Sequence, residues 1–263
     1  MDKLSIAVVG AGKLGRLIIH RLLTHVDPAS IHLCRKDPNR LGELAQEFPG
    51  CRVHTNAQAA VDRSGVAILA VKPPDLGPLA AMLGFNGQAV LSLITGKSFG
   101  TLISTLGTTN LVRASTSILL ETGSAQTTWM AHPQVETHSL SVCLRIMKEW
   151  GELTEAQTEH DLAVTIVSSG ALPGILATDL LDYVYALQAL GEQNAEQKTL
   201  RTLKVLCEQC LEKNCSLESK VSQVKTPGGI TIAATDVLEQ ANHQTTIAEA
   251  LQASLSRVYE LDG

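Results

Sequence analysis

The first half of the chain alternates short apolar runs with amphipathic ones. Residues 4–10 read as a buried strand ending in Gly10-Ala11-Gly12-Lys13-Leu14-Gly15, after which Leu14, Leu17, Ile18 and Leu22 recur at helical spacing. Residues 31–34 form a second short strand, and Asp37-Pro38 offers an N-cap and a first-turn proline. The helix that follows carries Leu41, Leu44, Ala45 and Phe48 on one side. Further strands are predicted at 52–54, 66–71, 88–95 and 110–114. Strands separated by helices of this length predict a parallel sheet with helices on both faces.

From about residue 154 the strand pattern stops. Helices are predicted at 161–169, 175–190, 195–213, 230–240 and 245–260, with a shorter one from Ser216. Leu172, Leu176, Leu180 and Leu187 give one apolar stripe, and Ile175, Tyr183, Val184 and Leu190 extend it to other faces. A helix apolar on several sides must be covered by other helices. An all-helical domain of roughly 100 residues has limited capacity to bury so much alone, so packing against a second subunit is predicted.

The glycine motif sits where dinucleotide chemistry needs it, after the first strand and opening the first helix. Gly10 permits the tight turn, Gly12 lets backbone approach a pyrophosphate, and Gly15 lets helix and strand pack closely. The expected class is therefore α/β: an N-terminal Rossmann-type parallel sheet over residues 1–154, then an all-α dimerisation and substrate domain over 155–263. An NAD-preferring domain usually ends its second strand with Asp or Glu to hold the ribose 2′-hydroxyl. Here Cys34-Arg35-Lys36 stands there, and two cations favour a 2′-phosphate, hence NADPH, with NADH the alternative. Asp37 is better explained as a helix cap. Near the other end, Thr226-Pro227-Gly228-Gly229 runs directly into the helix predicted at 230–240. Unpaired donors and the positive dipole end of a helix start favour an anion, such as a small carboxylate.

Composition narrows the partners. Net charge is −5, without a block of basic residues, and aromatics make up 3%. Neither nucleic acid nor an anionic membrane surface is an expected partner. No apolar run approaches the ~18 residues that span a bilayer, and no signal-peptide pattern opens the chain, so a cytoplasmic protein is expected. The six cysteines are expected to be free thiols. Cys207 and Cys210 have C-x-x-C spacing but no second pair, and read as core packing rather than a metal site. Gly96-Lys97-Ser98 is not a P-loop, because Leu91 stands where that motif needs its first glycine.

Together these segments resemble the pyrroline-5-carboxylate reductases, in collinear order over nearly the whole chain. Gly10-Ala11-Gly12-Lys13-Leu14-Gly15 is similar to that family's phosphate loop. Val53-His54-Thr55-Asn56 is similar to a segment whose Asn lies beside the adenosine ribose. Ala70-Val71-Lys72-Pro73 matches a typical strand end, and Ser92-Leu93-Ile94-Thr95-Gly96 the strand end facing the nicotinamide. Residues 220–238 resemble the substrate loop and its helix. The resemblance implies hydride transfer from NADPH to the C=N carbon of pyrroline-5-carboxylate, giving proline, in a homodimeric cytoplasmic enzyme. It implies that Thr226, Gly228, Gly229, Ile230 and Thr231 line the substrate carboxylate, with Thr231 as the catalytic hydroxyl.

Two segments depart from the pattern. After Val112-Arg113-Ala114 the family continues Met-Pro-Asn-Thr-Pro, whereas this chain reads Ser115-Thr116-Ser117-Ile118-Leu119. Ser168-Ser169-Gly170-Ala171-Leu172-Pro173-Gly174 replaces Ser-Gly-Ser-Gly-Pro-Ala. Both bear on the substrate rather than the cofactor. They keep open a same-fold reductase of another small imine or carbonyl compound, and a non-catalytic NADP-binding homologue of the late-competence type.

Overall fold

The computed structural model describes residues 4–35, 37–212 and 215–263. Two compact units are present, residues 4–170 with 254–263, and residues 171–253.

The first unit opens with β1 (Ile6–Val9), α1 (Lys13–Leu22), β2 (Ile31–Cys34), α2 (Leu41–Glu47), β3 (Arg52–His54) and α3 (Ala57–Val61). It continues with β4 (Val66–Leu69), α4 (Leu76–Ala80), β5 (Ala89–Ser92), α5 (Phe99–Leu106) and β6 (Leu111–Ser115). Then come β7 (Ala125–Ala131), α6 (Thr137–Lys148), β8 (Gly151–Glu155) and α7 (Glu159–Ile166), followed by a π turn over residues 167–171. The sheet order is β3-β2-β1-β4-β5-β6-β7-β8.

The strands β1, β2, β4 and β5 are buried at every position. Successive side chains point to opposite faces. Ile6 and Val8 join Ile18, Leu33, Phe48 and Trp150 in one core, while Ala7 and Val9 join Val61, Leu69 and Leu102 in the other. A buried Leu or Ile contributes about 1.5–3 kcal/mol, so both helical layers are held by the same short strands.

All six predicted strands form, but the sheet is longer than predicted. β7 and β8 were expected neither as strands nor as part of the sheet. β7 runs antiparallel to β6, with Ser115 opposite Thr128, and is parallel to β8. The link between β6 and β7 covers only residues 116–124, and a parallel crossover needs a dozen or more residues. The sheet is therefore mostly, not wholly, parallel.

The second unit contains α8 (Leu172–Ala189), α9 (Ala195–Glu212), α10 (Leu217–Val224), α11 (Ile230–Gln240) and the first part of α12 (His243–Glu260). These match the predicted helices within a few residues; the predicted end at Lys213 lies outside the described residues. Within this chain only Val184 of α8 is buried, and Leu176, Leu181, Tyr183, Tyr185 and Leu190 are exposed. The expectation about membrane-length segments needs correction. Helical structure is continuous over Glu159–Ala189, and this stretch is long and apolar enough to cross a membrane by length and composition alone. Ser168, Ser169 and Gly170 interrupt the apolar run but leave the stretch apolar on average.

Candidate functional site

The carboxyl ends of β1 to β5 gather the residues assigned to a dinucleotide. Gly10 follows β1 at φ +104°, and a Cβ there would lie 2.7 Å from the Ala70 carbonyl carbon and 2.9 Å from Val71 Cγ1. That crowding arises because β1 and β4 are sheet neighbours where the strand order reverses, the usual crevice for a ligand in such sheets. The Gly10 N–H donates to the Cys34 carbonyl at 3.1 Å, which ties the loop to β2. A Cβ on Gly15 would lie 2.1 Å from the Gly10 carbonyl oxygen, so helix and loop pack as closely as predicted. Gly12 differs: its missing Cβ faces open space. It caps α1 without a side-chain hydrogen bond, and no acidic residue stands in the first turn. The first N–H groups of α1 and its positive pole are therefore left for an anion. Ala11 is buried, Lys13 exposed and Leu14 half-buried on this loop.

Arg35 follows β2. Among the described residues its Nη1 is buried without a hydrogen-bond partner, and a Glu43 carboxylate oxygen lies 3.8 Å away. An orphaned guanidinium N–H is costly unless something accepts from it, and a phosphate oxygen suits its geometry. Lys36, assigned alongside it, lies outside the described residues. Asp37 does cap the following turn, accepting from the Asn39 N–H at 3.0 Å. Asn56 caps α3, its Oδ1 accepting from the Ala59 N–H at 2.7 Å. Just before it, His54 Nε2 and His32 Nδ1 are 2.8 Å apart. Burial lowers both pKa values, and the cationic Arg63 lowers them further, with His54 and Arg52 adding to the effect on His32. Lys72 is exposed and opens the turn Pro73–Asp75 after β4. After β5, Thr95 is exposed and Gly96 buried.

Sequence reasoning missed a polar cluster beside these strand ends. Arg113 on β6 is 6% exposed. Its Nη1 donates to Glu159 Oε1 at 2.8 Å, and its guanidinium lies 5.4 Å from the Phe99 ring centroid. Burial lowers the Arg113 pKa, while Glu159 and Asp262 oppose that shift. The partners are far apart in sequence, so no spacing signal existed. The departing segment 115–119 is also ordered by side-chain hydrogen bonds. Ser115 Oγ lies 3.2 Å from Ser169 Oγ, and Thr116 Oγ1 lies 2.8 Å from Thr127 Oγ1. Ser117 caps a short turn, Ile118–Thr122, and Ile118 and Leu119 are exposed.

In the second unit, Thr226-Pro227-Gly228-Gly229 forms a tight turn. The Gly229 N–H donates to the Thr226 carbonyl at 2.8 Å, and Gly228 has φ +71°. Proline second and a left-handed glycine third are what such a turn requires. Gly229 then caps α11 without a side-chain hydrogen bond. Ile230 is 91% exposed, and Thr231 is half-buried. Among the described residues the Thr231 hydroxyl has no hydrogen-bond partner, whereas Thr235 Oγ1 donates to the Ile232 carbonyl at 3.1 Å. Cys207 is exposed and Cys210 half-buried, so the C-x-x-C pair is not the core packing expected; no group of three metal-binding side chains occurs among the described residues.

Residues 5–96 match the family described as NADP oxidoreductase, coenzyme F420-dependent, and residues 159–261 match pyrroline-5-carboxylate reductase dimerisation. The pyrroline-5-carboxylate reductase of Synechocystis sp. is 28% identical over 262 residues, covering 98% of each chain. The Plasmodium falciparum pyrroline carboxylate reductase, solved with NADP bound, superposes with a TM-score of 0.88 at 16% identity over the whole of both chains. The Streptococcus pyogenes 1-pyrroline-5-carboxylate reductase gives 0.89 at 19% identity over 98% of each. At these identities the structural likeness carries the fold.

Proposed function

We propose that this chain, which belongs to the pyrroline-5-carboxylate reductase family, reduces pyrroline-5-carboxylate to proline with NADPH. The observation that carries the reading is the presence in one chain of two anion-ready sites, one in each unit. One is the uncapped α1 start with the orphaned Arg35 Nη1 after β2; the other is the Pro-Gly-Gly turn that opens α11.

In this reading Gly10, Ala11, Gly12, Lys13, Leu14 and Gly15 hold the pyrophosphate through backbone N–H groups and the helix pole. Arg35, with Lys36, takes the 2′-phosphate, and Asn56 lies beside the ribose. Ala70, Val71, Lys72, Pro73, Thr95 and Gly96 flank the dinucleotide at the ends of β4 and β5. NADPH supplies the hydride when bound. The residues of this chain supply orientation and a proton path. Thr226, Gly228, Gly229 and Ile230 present backbone to the substrate carboxylate. Thr231 is too weak an acid to give up a proton outright at neutral pH, so its unpartnered hydroxyl relays one from water to the ring nitrogen.

By function we assign residues 1–154 to nucleotide binding and 155–263 to dimerisation and substrate, although residues 155–170 and 254–263 belong to the first compact unit. The partner is a second copy, covering the apolar faces that α8 exposes. The cytoplasm suits six unpaired thiols.

The test follows NADPH oxidation with pyrroline-5-carboxylate. Thr231→Ala is expected to lower kcat about a hundredfold with little change in KM; unchanged kcat removes the relay. Arg35→Ala is expected to raise the KM for NADPH at least tenfold and leave that for NADH within twofold. The exposed Ile118 and Leu119, standing where the family pattern has Thr and Pro, favour a second reading in which another cyclic imine is the better substrate. A panel of ring sizes separates the two.

A further inference from the structure

Four consecutive residues after β5 are each held from outside their own loop. Gly96 has φ +72°, and a Cβ there would lie 2.5 Å from the Val258 carbonyl oxygen and 2.7 Å from Leu261 Cβ. Lys97 Nζ donates to the Asp262 carbonyl at 3.1 Å. The Ser98 N–H donates to Asp262 Oδ1 at 2.7 Å. The Phe99 N–H donates to Glu159 Oε1 at 2.7 Å, and the same oxygen accepts from Arg113. Two carboxylates from distant sequence thus take the first backbone donors of α5. They occupy the positive pole that would otherwise favour an anion, and they fix the loop's height above the sheet edge. Nearby, Tyr259 stacks on His160, which adds a second tie between the end of α12 and α7.

We propose that Asp262 is a positioning residue for the nicotinamide half of the dinucleotide, acting through Lys97 and Ser98 on the Thr95–Gly96 backbone. The inference rests on the preceding reading, in which Thr95 and Gly96 flank the nicotinamide. It goes further by making a turn after α12, remote from every dinucleotide motif, a determinant of hydride geometry. A displacement of about 1 Å at a reacting centre can cost a hundredfold in rate, so a bond of this kind can matter without touching ligand. The adenosine half binds at the ends of β1 to β3 and is independent of this tie.

The experiment uses the full chain with Asp262→Ala and Asp262→Asn. Steady-state kinetics with NADPH and pyrroline-5-carboxylate are set beside the affinity for 2′,5′-ADP, which carries only the adenosine and phosphate groups. Asp262→Ala is expected to lower kcat and raise the KM for NADPH, together by about tenfold or more in kcat/KM, with 2′,5′-ADP affinity within twofold of wild type. Asp262→Asn should recover part of the loss, because its amide oxygen can still accept from Ser98. Kinetics within twofold of wild type for Asp262→Ala overturn the proposal, as does an equal loss of 2′,5′-ADP affinity, which would mean general loosening. Should Asp262→Ala fail to fold, Asp262→Leu carries the same comparison, while Lys97→Met tests the separate bond to the Asp262 main-chain carbonyl. If the wild-type chain turns over no imine, the functional reading fails by itself. NADPH affinity measured against 2′,5′-ADP affinity in the two variants then decides the positioning role alone.

Discussion

Gly12 and Gly15 lie three residues apart in one motif, yet the structure gives them opposite constraints. A Cβ on Gly15 would sit 2.1 Å from backbone, while one on Gly12 meets nothing. Gly12 also has φ −81°, which any residue adopts. Gly12→Ala is therefore expected to melt within about 2 °C of wild type but to bind NADPH at least tenfold more weakly, because the new methyl stands where pyrophosphate approaches. Gly15→Ala should lose several kcal/mol of stability as α1 is pushed from its loop. Thermal melts and NADPH titrations check both, and equal melting of the two variants would contradict this division. The close packing at Gly15 was legible because the motif is local and its backbone demands are specific; the role assigned to Gly12 is what the titration tests. Gly96 was legible only in part. It was assigned to the dinucleotide by position, but its buried side faces Val258 and Leu261, which no local pattern announces. The same holds for Arg113, whose partner Glu159 is 46 residues away.

Among the elements, the helices of the second unit were read fully, whereas the last two strands and α6 between them were missed. Every helix of the second unit has apolar residues at helical spacing, and α11 begins where the Pro-Gly-Gly turn ends. β7 escaped because it reads Ala-Gln-Thr-Thr-Trp-Met-Ala, with buried Thr127 satisfied by Thr116 rather than replaced by an apolar residue. β8 escaped because it is an edge strand whose residues mostly face outward. The tie between α12 and α5 makes a prediction at this scale. Burial pulls the Asp262 pKa up, but hydrogen bonds from Ser98 and Thr101 and the charge of Lys97 outweigh it, so the net shift is downward. A carboxylate whose folded pKa is depressed adds stability above its unfolded value of about 3.9. That contribution disappears as pH falls through the lower folded value. Between pH 6 and pH 3, the wild-type melting temperature should therefore fall more steeply than that of Asp262→Asn. Parallel curves would show that Asp262 contributes no linked stability.

The whole molecule poses a question of cover. Leu181 and Tyr185 are spaced one helical turn apart on α8 and are 46% and 58% exposed within a single chain. Scattered apolar residues on a surface need no explanation, but a contiguous run along one helix does. Water, a bilayer and a second copy would each leave a different signature. Exposure to water is the costly case, since each large apolar side chain forgoes about 1.5–3 kcal/mol. A bilayer would require the stretch Glu159–Ala189 to cross as one segment. Its beginning contradicts that, because Leu162, Ala163 and Val167 are buried within the first unit of this chain. The residues left after those turns, 168–189, would still reach roughly 33 Å at 1.5 Å per residue, but they include Asp179 and Asp182, and carboxylates at bilayer depth are costly. A second copy carries no such cost and would cover the exposed residues of α8 symmetrically. Sedimentation at micromolar concentration in detergent-free buffer is therefore expected to give a dimer. Leu181→Glu with Tyr185→Glu should shift it to a folded or partly folded monomer and lower its melting temperature. A wild-type chain that pellets with lipid vesicles, or that remains monomeric at 100 µM (roughly the concentration at which even a weak interface forms), would defeat the dimer reading.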